Sequence, residues 1–239
     1  MATKRGIKLL CTGLSNSGKT NALKSLDPKT TFVVSIDGKT FPFGIPHSNF
    51  AGFPNIAGFL YGYNDEEGNH VDGIVDKMQK FKEATGEYPK NVVVDTVSRV
   101  FQIIADNCQR QFKGFEIHSN ISKEIAEFNS FLENELVASG INVISTTHVT
   151  INPDTGMYED ASSGAYKKSG GAISVHDNVV FFRIKNKKYE VVHRSPGLPC
   201  RTLLPEDVLP STQPADEYSL ADHIKLLEST NSEVEKFSL

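Results

Sequence analysis

Short apolar runs alternate along most of the chain with stretches of helical periodicity. The runs predict buried strands over residues 7–12, 31–36, 91–95 and 141–146. The periodic stretches predict helices over residues 19–26, 72–84, 100–112 and 121–139. Two later runs, residues 178–184 and 189–193, flank a polar turn and predict a hairpin. The order predicts an α/β fold with a mainly parallel central sheet, flanked by helices and closed by a C-terminal antiparallel hairpin.

Composition places the chain among ordinary globular proteins, because 38% of its 239 residues are hydrophobic and 23% are charged. No apolar run approaches the roughly 18 residues of a membrane span, and the N-terminus lacks the apolar core of a signal peptide. We therefore expect a cytoplasmic location and no membrane partner. The three cysteines are far apart and outside any C-x-x-C pattern, which argues against a disulfide framework or a zinc site.

Charge is distributed unevenly along the chain. The formal net charge of −4 argues against coating duplex DNA by bulk charge alone. Residues 206–239 hold eight acids and two lysines, a net of −6, whereas the first 205 residues have a net of +2. We therefore expect a core over residues 1–205 and an acidic tail with a short helix over residues 206–239. The tail is either a solvated segment or a competitor of nucleic acid for a basic groove.

The residues that indicate chemistry begin where the first predicted strand ends. Between that strand and the next helix, a pattern G-x-x-x-x-G-K-[ST] is formed by Gly13-Leu14-Ser15-Asn16-Ser17-Gly18-Lys19-Thr20. Flanked in this way, the pattern predicts a phosphate-binding loop, whose backbone N–H groups and helix N-terminus surround phosphate oxygens. Lys19 is expected at the β- and γ-phosphates and the Thr20 hydroxyl at Mg²⁺. The loop predicts binding of a nucleoside triphosphate with Mg²⁺.

Asp95 supplies the expected second half of the site. It follows three consecutive valines at the end of the third strand. A carboxylate at the carboxyl end of a parallel strand, beside the phosphate-binding loop, holds the Mg²⁺ shell in nucleotide-binding folds. Thr20 and Asp95 are therefore the predicted metal-binding residues.

Several segments resemble the core of RecA-type ATPases. Asp95-Thr96-Val97-Ser98 is similar to the end of their magnesium strand, and residues 141–148 are similar to the next core strand. Residues 152–156 and Gly170-Gly171-Ala172 resemble the start and the exit of their second DNA loop, and residues 177–184 resemble the strand that follows. The resemblance covers about residues 5–195. It is strongest to the small single-domain RecA-like ATPases of bacteriophages, which are associated with recombination and single-strand annealing.

The resemblance implies an ATPase that uses ATP and Mg²⁺ and acts on single-stranded DNA in recombination, annealing or repair. It also implies a homo-oligomer, a single-strand-binding protein as partner, and the host cytoplasm as location. His148 falls where the RecA strand ends in a residue that senses the γ-phosphate; the alternative is a core histidine with a satisfied ring nitrogen. The remaining histidines considered show no metal-like spacing and are expected at the surface: His47, His70, His118, His176 and His193.

The sequence departs from RecA-type enzymes where their catalytic glutamate activates the attacking water. Those enzymes usually place it just after the second strand, where this chain has Ile36-Asp37-Gly38-Lys39. Lys39 takes the glutamate position, so Asp37 is the predicted catalytic base. Slow hydrolysis, or nucleotide binding as a switch, is the expectation.

Contacts to DNA are predicted in two loops where cations adjoin aromatic residues. Lys113 and Phe115 lie where RecA has its first DNA loop, and Tyr166, Lys167 and Lys168 lie in the second. Stacking of a base on an aromatic ring contributes roughly 1–3 kcal/mol, and the cations contact phosphates. For the first loop, the alternative is that Phe112 and Phe115 pack in the core.

A third set of cations surrounds the predicted hairpin, namely Arg183, Lys185, Lys187 and Lys188, and the first three are the predicted residues that act in trans. In RecA-like filaments, basic residues of this region reach the γ-phosphate of the neighbouring subunit, and a cation supplied in trans accelerates phosphoryl transfer roughly 10³–10⁵-fold. A solvated basic turn is the alternative.

Two other classes of function fit part of the pattern. A P-loop kinase of a small substrate needs an arginine-rich lid, and the long loops over residues 41–68 and 150–171 contain no arginine. A nucleotide switch or assembly module with slow or no turnover, such as a helicase loader or a packaging accessory, is favoured by Lys39.

Overall fold

The computed structural model describes residues 4–41, 43–50, 52–161 and 171–230. Tyr166, Lys167 and Lys168 lie outside them. The described strands are β1 (Lys8–Gly13), β2 (Thr31–Ser35), β3 (His47–Asn49), β4 (Tyr63–Asn64), β5 (His70–Val71), β6 (Asn91–Asp95), β7 (Asn142–Ile151), β8 (Tyr158–Asp160), β9 (Asn178–Lys185), β10 (Lys188–Val192) and β11 (Thr212–Pro214). The described helices are α1 (Lys19–Ala22), α2 (Ile56–Tyr61), α3 (Ile74–Thr85), α4 (Val97–Gln111), α5 (Phe115–Ser130), α6 (Gly171–Ser174) and α7 (Leu220–Thr230).

The main sheet has the strand order β11-β10-β9-β1-β7-β6-β2-β3. The strands from β9 to β3 are parallel, whereas β10 and β11 are antiparallel additions at one edge and β8 pairs with β7. The predicted α/β fold with a mostly parallel sheet is confirmed. The β9–β10 hairpin turns at Asn186 and Lys187, which have φ angles of 52° and 64°. Two positive φ values are typical of a type I′ turn.

The register of the parallel strands brings their carboxyl ends to one edge of the sheet. Gly13 at the end of β1 pairs with His148 in β7, and Ser35 at the end of β2 pairs with Asp95 at the end of β6. Strand β7 lies between β1 and β6. The phosphate-binding loop, Asp95 and His148 therefore meet at this edge, although His148 follows Thr20 by 128 positions in the sequence.

Alternate residues of the central strands pack into two separate cores. Leu10, Val92 and Val143 belong to the core under α2 to α5. Their neighbours, Leu9 and Val93 among them, belong to the core on the opposite face, which also receives side chains from α7. Side chains alternate between the faces of a strand, so an unbroken apolar run is the pattern of a sheet covered on both sides.

The C-terminal segment takes part in the fold. Strand β11 extends the main sheet beside β10, and Leu220, Ile224 and Leu227 of α7 are buried in the second core. Glu228 Oε1 accepts a hydrogen bond of 2.9 Å from Asn142 Nδ2. The expected short helix is α7. Residues 212–230 thus belong to the same packed unit as the residues before 205, which their acidic composition alone did not indicate.

The element bounds differ from prediction mainly in the helices. The helix predicted over residues 19–26 is α1 followed by a 3₁₀ turn over Leu23–Ser25. Helix α5 begins at Phe115, six residues earlier than predicted, and continues as a π-helix over Phe131–Leu136. Among the described helices, none combines the length and the apolar character needed to cross a membrane.

Two histidines expected at the surface are buried. His176 is 2% exposed and His193 is 0% exposed. His176 Nδ1 lies 2.7 Å from the carbonyl oxygen of Ala172. The ring of His193 packs against those of Tyr218 and His223, which arrive with the C-terminal segment. The surface prediction was therefore wrong at both positions. For His193 the reason is that a contact between residues so distant in sequence leaves no local pattern.

Candidate functional site

The phosphate-binding loop leaves β1 at Gly13 and enters α1 at Lys19. Gly13 has φ 152° and Gly18 has φ 102°. A Cβ added to Gly13 would lie 2.3 Å from the carbonyl oxygen of Phe182, so a side chain there would clash with β9. Ser17 Oγ is buried and has no hydrogen-bond partner among the described residues. The loop is therefore a tight turn with polar groups still to be satisfied.

The Lys19 ammonium is the central charge of the site. Its residue is 5% exposed, and Nζ donates hydrogen bonds of 2.8 Å to the carbonyl oxygens of Gly13 and Leu14. Burial lowers the pKa of Lys19 to about 8, although nearby Asp95 acts in the opposite direction. Within the described part of the chain, no carboxylate lies at ion-pairing distance from Nζ. A buried ammonium without an anion is the arrangement of an anion-binding site.

His148 adjoins this ammonium. Its Nδ1 atom lies 3.4 Å from Lys19 Nζ. Burial lowers the pKa of His148, and the charges of Lys19 and Lys39 lower it further. The ring is therefore neutral at pH 7. Since an ammonium only donates, Nδ1 is the acceptor, and the ring proton is assigned to Nε2. His148 can thus donate a hydrogen bond to an anion that Lys19 binds.

Two threonine hydroxyl groups lie beside the Asp95 carboxylate. Its residue is fully buried, its Oδ2 atom lies 3.5 Å from Thr20 Oγ1, and its Oδ1 atom accepts a hydrogen bond from Thr146 Oγ1. Hydroxyl and carboxylate oxygens are the ligands that Mg²⁺ prefers, so Thr20 and Asp95 fit this ion. Sequence reasoning did not single out Thr146. Its position near the end of the strand beside β6 was the available signal.

Lys39 lies close to the two carboxylates beside the phosphate-binding loop, those of Asp37 and Asp95. Its Nζ atom lies 2.9 Å from Asp37 Oδ2 and 3.8 Å from Asp95 Oδ2. The residue at the expected glutamate position therefore brings a positive charge to the place where a base would act. Asp37 lies at the site, paired with this lysine, and its role as catalytic base stays a prediction.

A cavity of about 1510 Å³ joins these groups. It is lined by most of the predicted site residues, namely Ser15, Asn16, Ser17, Gly18, Lys19, Thr20, Asp37, Asp95 and His148. It continues past the loop to Lys188, one of the cations around the hairpin, and to residues that sequence reasoning missed, namely Tyr189, Pro214, Ala215, Asp216, Glu217 and Tyr218. The missed residues reach the cavity only because β10 and β11 extend the sheet beside β9.

The contacts predicted in the first DNA loop, Lys113 and Phe115, lie away from this cavity. Lys113 and Phe115 follow the fifteen-residue helix α4, so about 22 Å of helix separates them from Asp95. Phe115 is 84% exposed, whereas Phe112 packs against the core. The core alternative therefore holds for Phe112 and fails for Phe115.

The hairpin cations differ in their surroundings. Arg183 Nε donates a hydrogen bond of 2.9 Å to Glu190 Oε2 on the paired strand. Lys185 and Lys187 are exposed at the end of the hairpin. None of the three lines the cavity of its own chain, and their action in trans stays a prediction.

The strand order, the phosphate-binding loop and the Lys19–Asp95 arrangement together define a P-loop nucleoside triphosphatase. Residues 5–195 match a family model described as an AAA domain, and the chain belongs to this family. The match identifies an AAA-type ATPase domain, a class that binds and hydrolyses nucleotide, typically with a divalent metal ion. No curated protein matches the sequence. The narrower likeness to phage RecA-like ATPases stays a prediction.

Proposed function

We propose that the protein is a RecA-like ATPase that binds ATP with Mg²⁺, hydrolyses it slowly and acts on single-stranded DNA in recombination, annealing or repair. The observation that carries the nucleotide part is the buried Lys19 ammonium. It has carbonyl oxygens and a neutral histidine around it, and no carboxylate among the described residues is paired to it. A triphosphate supplies the missing negative charge.

Each residue at the phosphate end of the cavity has a separate role in this proposal. Lys19 binds the β- and γ-phosphates, and the Nε2–H of His148 donates to the γ-phosphate. Thr20 and Asp95 would hold Mg²⁺, which would neutralise charge on the phosphate oxygens. Asp37 accepts a proton from the attacking water. Because Asp37 is held in an ion pair with Lys39, it must leave this lysine before it can contact the water, and turnover is slow.

A connection from the nucleotide to the second DNA loop supports the DNA part of the proposal. The backbone N–H of Ala161, which lies within the second DNA loop and directly follows β8, donates a hydrogen bond of 3.0 Å to the carbonyl oxygen of His148. On the exit side, Asp160 Oδ2 accepts a hydrogen bond of 2.9 Å from the N–H of Ala172. A shift of His148 toward the γ-phosphate would therefore displace the backbone of the loop at Ala161.

The exposed cations support the partners that we propose. Lys113 and the 84%-exposed ring of Phe115 suit stacking and phosphate contact with a single strand. Lys185 and Lys187 suit a neighbouring copy of the chain, whose triphosphate they would reach in a homo-oligomer. A single-strand-binding protein would present the DNA on which such an oligomer acts.

The nucleotide part is tested by calorimetric titration with a non-hydrolysable ATP analogue and Mg²⁺. Lys19→Ala should abolish measurable binding, because it removes the ammonium that pairs with the phosphates. The matched control is Lys29→Ala, which removes an exposed lysine outside the cavity. Unchanged affinity in Lys19→Ala would refute the assignment of the phosphate-binding loop.

The DNA part is tested by titrating labelled single-stranded DNA with and without the analogue. Binding should require nucleotide and weaken with salt, because phosphate contacts release counterions. The double variant Lys167→Glu and Lys168→Glu should lose DNA binding and keep ATP binding. If DNA fails to bind in every nucleotide state, or if the double variant binds like the wild type, the DNA part is wrong although the ATPase part stands.

A nucleotide switch or assembly module is the second candidate, and the ion pairs of Lys39 favour it. With Asp37 and Asp95 both engaged by this lysine, the phosphate end suits tight binding more than turnover. A helicase loader or a packaging accessory would use the bound nucleotide to fix a conformation. Undetectable phosphate release by a protein that binds ATP, without DNA binding, would favour this candidate.

A further inference from the structure

The nucleotide cavity has a far end that the phosphate-binding loop does not explain. Beyond Gly18 it is lined by Tyr189 of β10 and by residues 214–218, which join β11 to α7. Residues 214–218 lie outside residues 5–195, the part of the chain that matches the AAA domain. A triphosphate held by Lys19 would extend the rest of its molecule from the loop, and this end of the cavity adjoins the loop.

We propose that the far end is a nucleoside subsite. In it, the ring of Tyr189 stacks on a purine base, and the carboxylates of Asp216 and Glu217 accept hydrogen bonds from hydroxyl and amino groups of the nucleoside. The C-terminal segment thereby completes a nucleotide site whose phosphate half lies in the AAA domain. This inference rests on the proposed binding of ATP at Lys19.

Tyr189 lies against the phosphate-binding loop. Its Cδ1 atom is 3.8 Å from the position that a Cβ on Gly18 would take, which is van der Waals distance. The residue is 51% exposed, so much of the ring is open to a ligand. The ring therefore presents an apolar face on the side of the loop toward which the nucleoside of a bound ATP would extend.

The acidic residues reach the same edge through strand pairing. Because β11 runs antiparallel to β10, it ends at the edge of the sheet where β10 begins and where β1 ends. The N–H of Ala215 donates a hydrogen bond of 3.0 Å to the carbonyl oxygen of Tyr189. The N–H of Glu217 donates one of 3.2 Å to the carbonyl oxygen of Pro214. These bonds place the turn that carries Asp216 directly beside Tyr189.

The turn is fixed at its other side by buried residues. Tyr218 is buried, and its ring centroid lies 5.8 Å from that of Phe182 in β9. Leu220 and Ile224 of α7 follow it into the core. Since the segment is held by strand pairing before the turn and by packing after it, binding a nucleoside there costs little ordering entropy.

The distribution of charge distinguishes a nucleoside from a second phosphate group. Lys19 and Lys39 line the phosphate end, whereas the carboxylates of Asp216 and Glu217 line the far end and are exposed. Carboxylates repel phosphate but accept hydrogen bonds from O–H and N–H groups, as acidic residues do at ribose in other nucleotide folds. Lys24 and Lys188 also line this region, which limits the repulsion between the carboxylates and the phosphates of the same ligand.

The experiment compares ATP with inorganic tripolyphosphate, which contacts only the phosphate half. Tyr189→Ala should lower ATP affinity about tenfold, the size of a lost stacking contact, and leave tripolyphosphate affinity unchanged. Tyr189→Phe keeps the ring and should bind ATP like the wild type. The matched control is Tyr88→Ala, because Tyr88 is 49% exposed and lies outside the cavity.

The acidic turn is tested by the double variant Asp216→Asn and Glu217→Gln. Its ATP affinity should fall severalfold while its tripolyphosphate affinity stays level or rises, because the variant removes hydrogen-bond acceptors and negative charge together. A comparison of ATP with 2′-deoxy-ATP identifies which group of the nucleoside donates a hydrogen bond to these carboxylates. Equal binding of ATP and deoxy-ATP by the wild type would assign the carboxylates to the 3′-hydroxyl or the base amino group, and weaker deoxy-ATP binding would assign them to the 2′-hydroxyl.

Hydrogen exchange gives a readout that needs no variant. The amides of Ala215 and Glu217 should exchange more slowly with ATP than with tripolyphosphate. If exchange is equal for the two ligands and the variants leave the ratio of the two affinities unchanged, the subsite is refuted while the phosphate-binding loop stands. If the wild type binds neither ligand, the proposed function itself fails, and the inference fails with it.

Discussion

Acidification should destabilise the protein through a pair of buried histidines, His193 and His223. Burial lowers the pKa of His193 to about 4, with Arg194 adding to the effect. Burial likewise lowers the pKa of His223 to about 3, with a smaller contribution from His193. The rings lie 5.1 Å apart between centroids, and His223 Nδ1 lies 3.0 Å from the Tyr218 hydroxyl. A charge on either ring would have to enter the core.

The direction in which the unfolding free energy changes with pH follows from the number of protons that each state binds. Both histidines have folded-state pKa values below the ordinary 6.5, so between these values the unfolded chain binds more protons than the folded one. Their stabilising contribution is complete above pH 6.5 and is lost as the pH falls toward the folded-state values. Integrated from pH 7.5 to pH 5, each histidine costs about 2 kcal/mol of unfolding free energy. His176, whose burial lowers its pKa to about 3, adds to the loss in the same direction.

Urea unfolding between pH 5 and pH 7.5, followed by circular dichroism because the chain has no tryptophan, measures this loss. His223→Asn keeps a polar atom near Tyr218 and removes the titrating ring. Its unfolding free energy should fall by about 2 kcal/mol less than that of the wild type over this range. His118→Asn, at an exposed position of α5, is the control and should follow the wild type. An identical pH dependence in His223→Asn, or a wild type that gains stability on acidification, would refute the reasoning.

Three further predictions concern single residues. Thr146→Val removes the hydroxyl that donates to buried Asp95 and should cost about 1.5–3 kcal/mol of unfolding free energy, whereas Thr146→Ser should restore most of it in urea titrations. Asp37→Asn should slow phosphate release without changing ATP affinity in calorimetry; normal turnover would place the base elsewhere. Lys187→Gly should stabilise the protein by about 1 kcal/mol in thermal melts, because Lys187 has φ 64° in the hairpin turn. An unchanged or lower melting temperature would contradict this last expectation.

The sequence alone determined the features that depend on short patterns of neighbouring residues. Unbroken apolar runs predicted the central parallel strands, because a strand covered on both faces has no polar side. The loop from Gly13 to Thr20 was recognisable because phosphate binding needs glycines and a lysine at fixed spacing. Asp95 followed from its place at a strand end, since the carboxyl ends of parallel strands share one edge of the sheet. These features depend on neighbours within a few residues.

Only the tertiary structure decided which distant residues meet. The acidic composition of the last 34 residues gave no sign that β11 and α7 complete the sheet and a core, or that Asp216 and Glu217 reach the nucleotide cavity. His193 is buried because α7 brings His223 against it. Burial and charge pairing depend on surfaces that come together from distant parts of the chain. The residues next to a polar residue in the sequence do not indicate which partner will cover it, and the packing of the folded chain therefore decides its role.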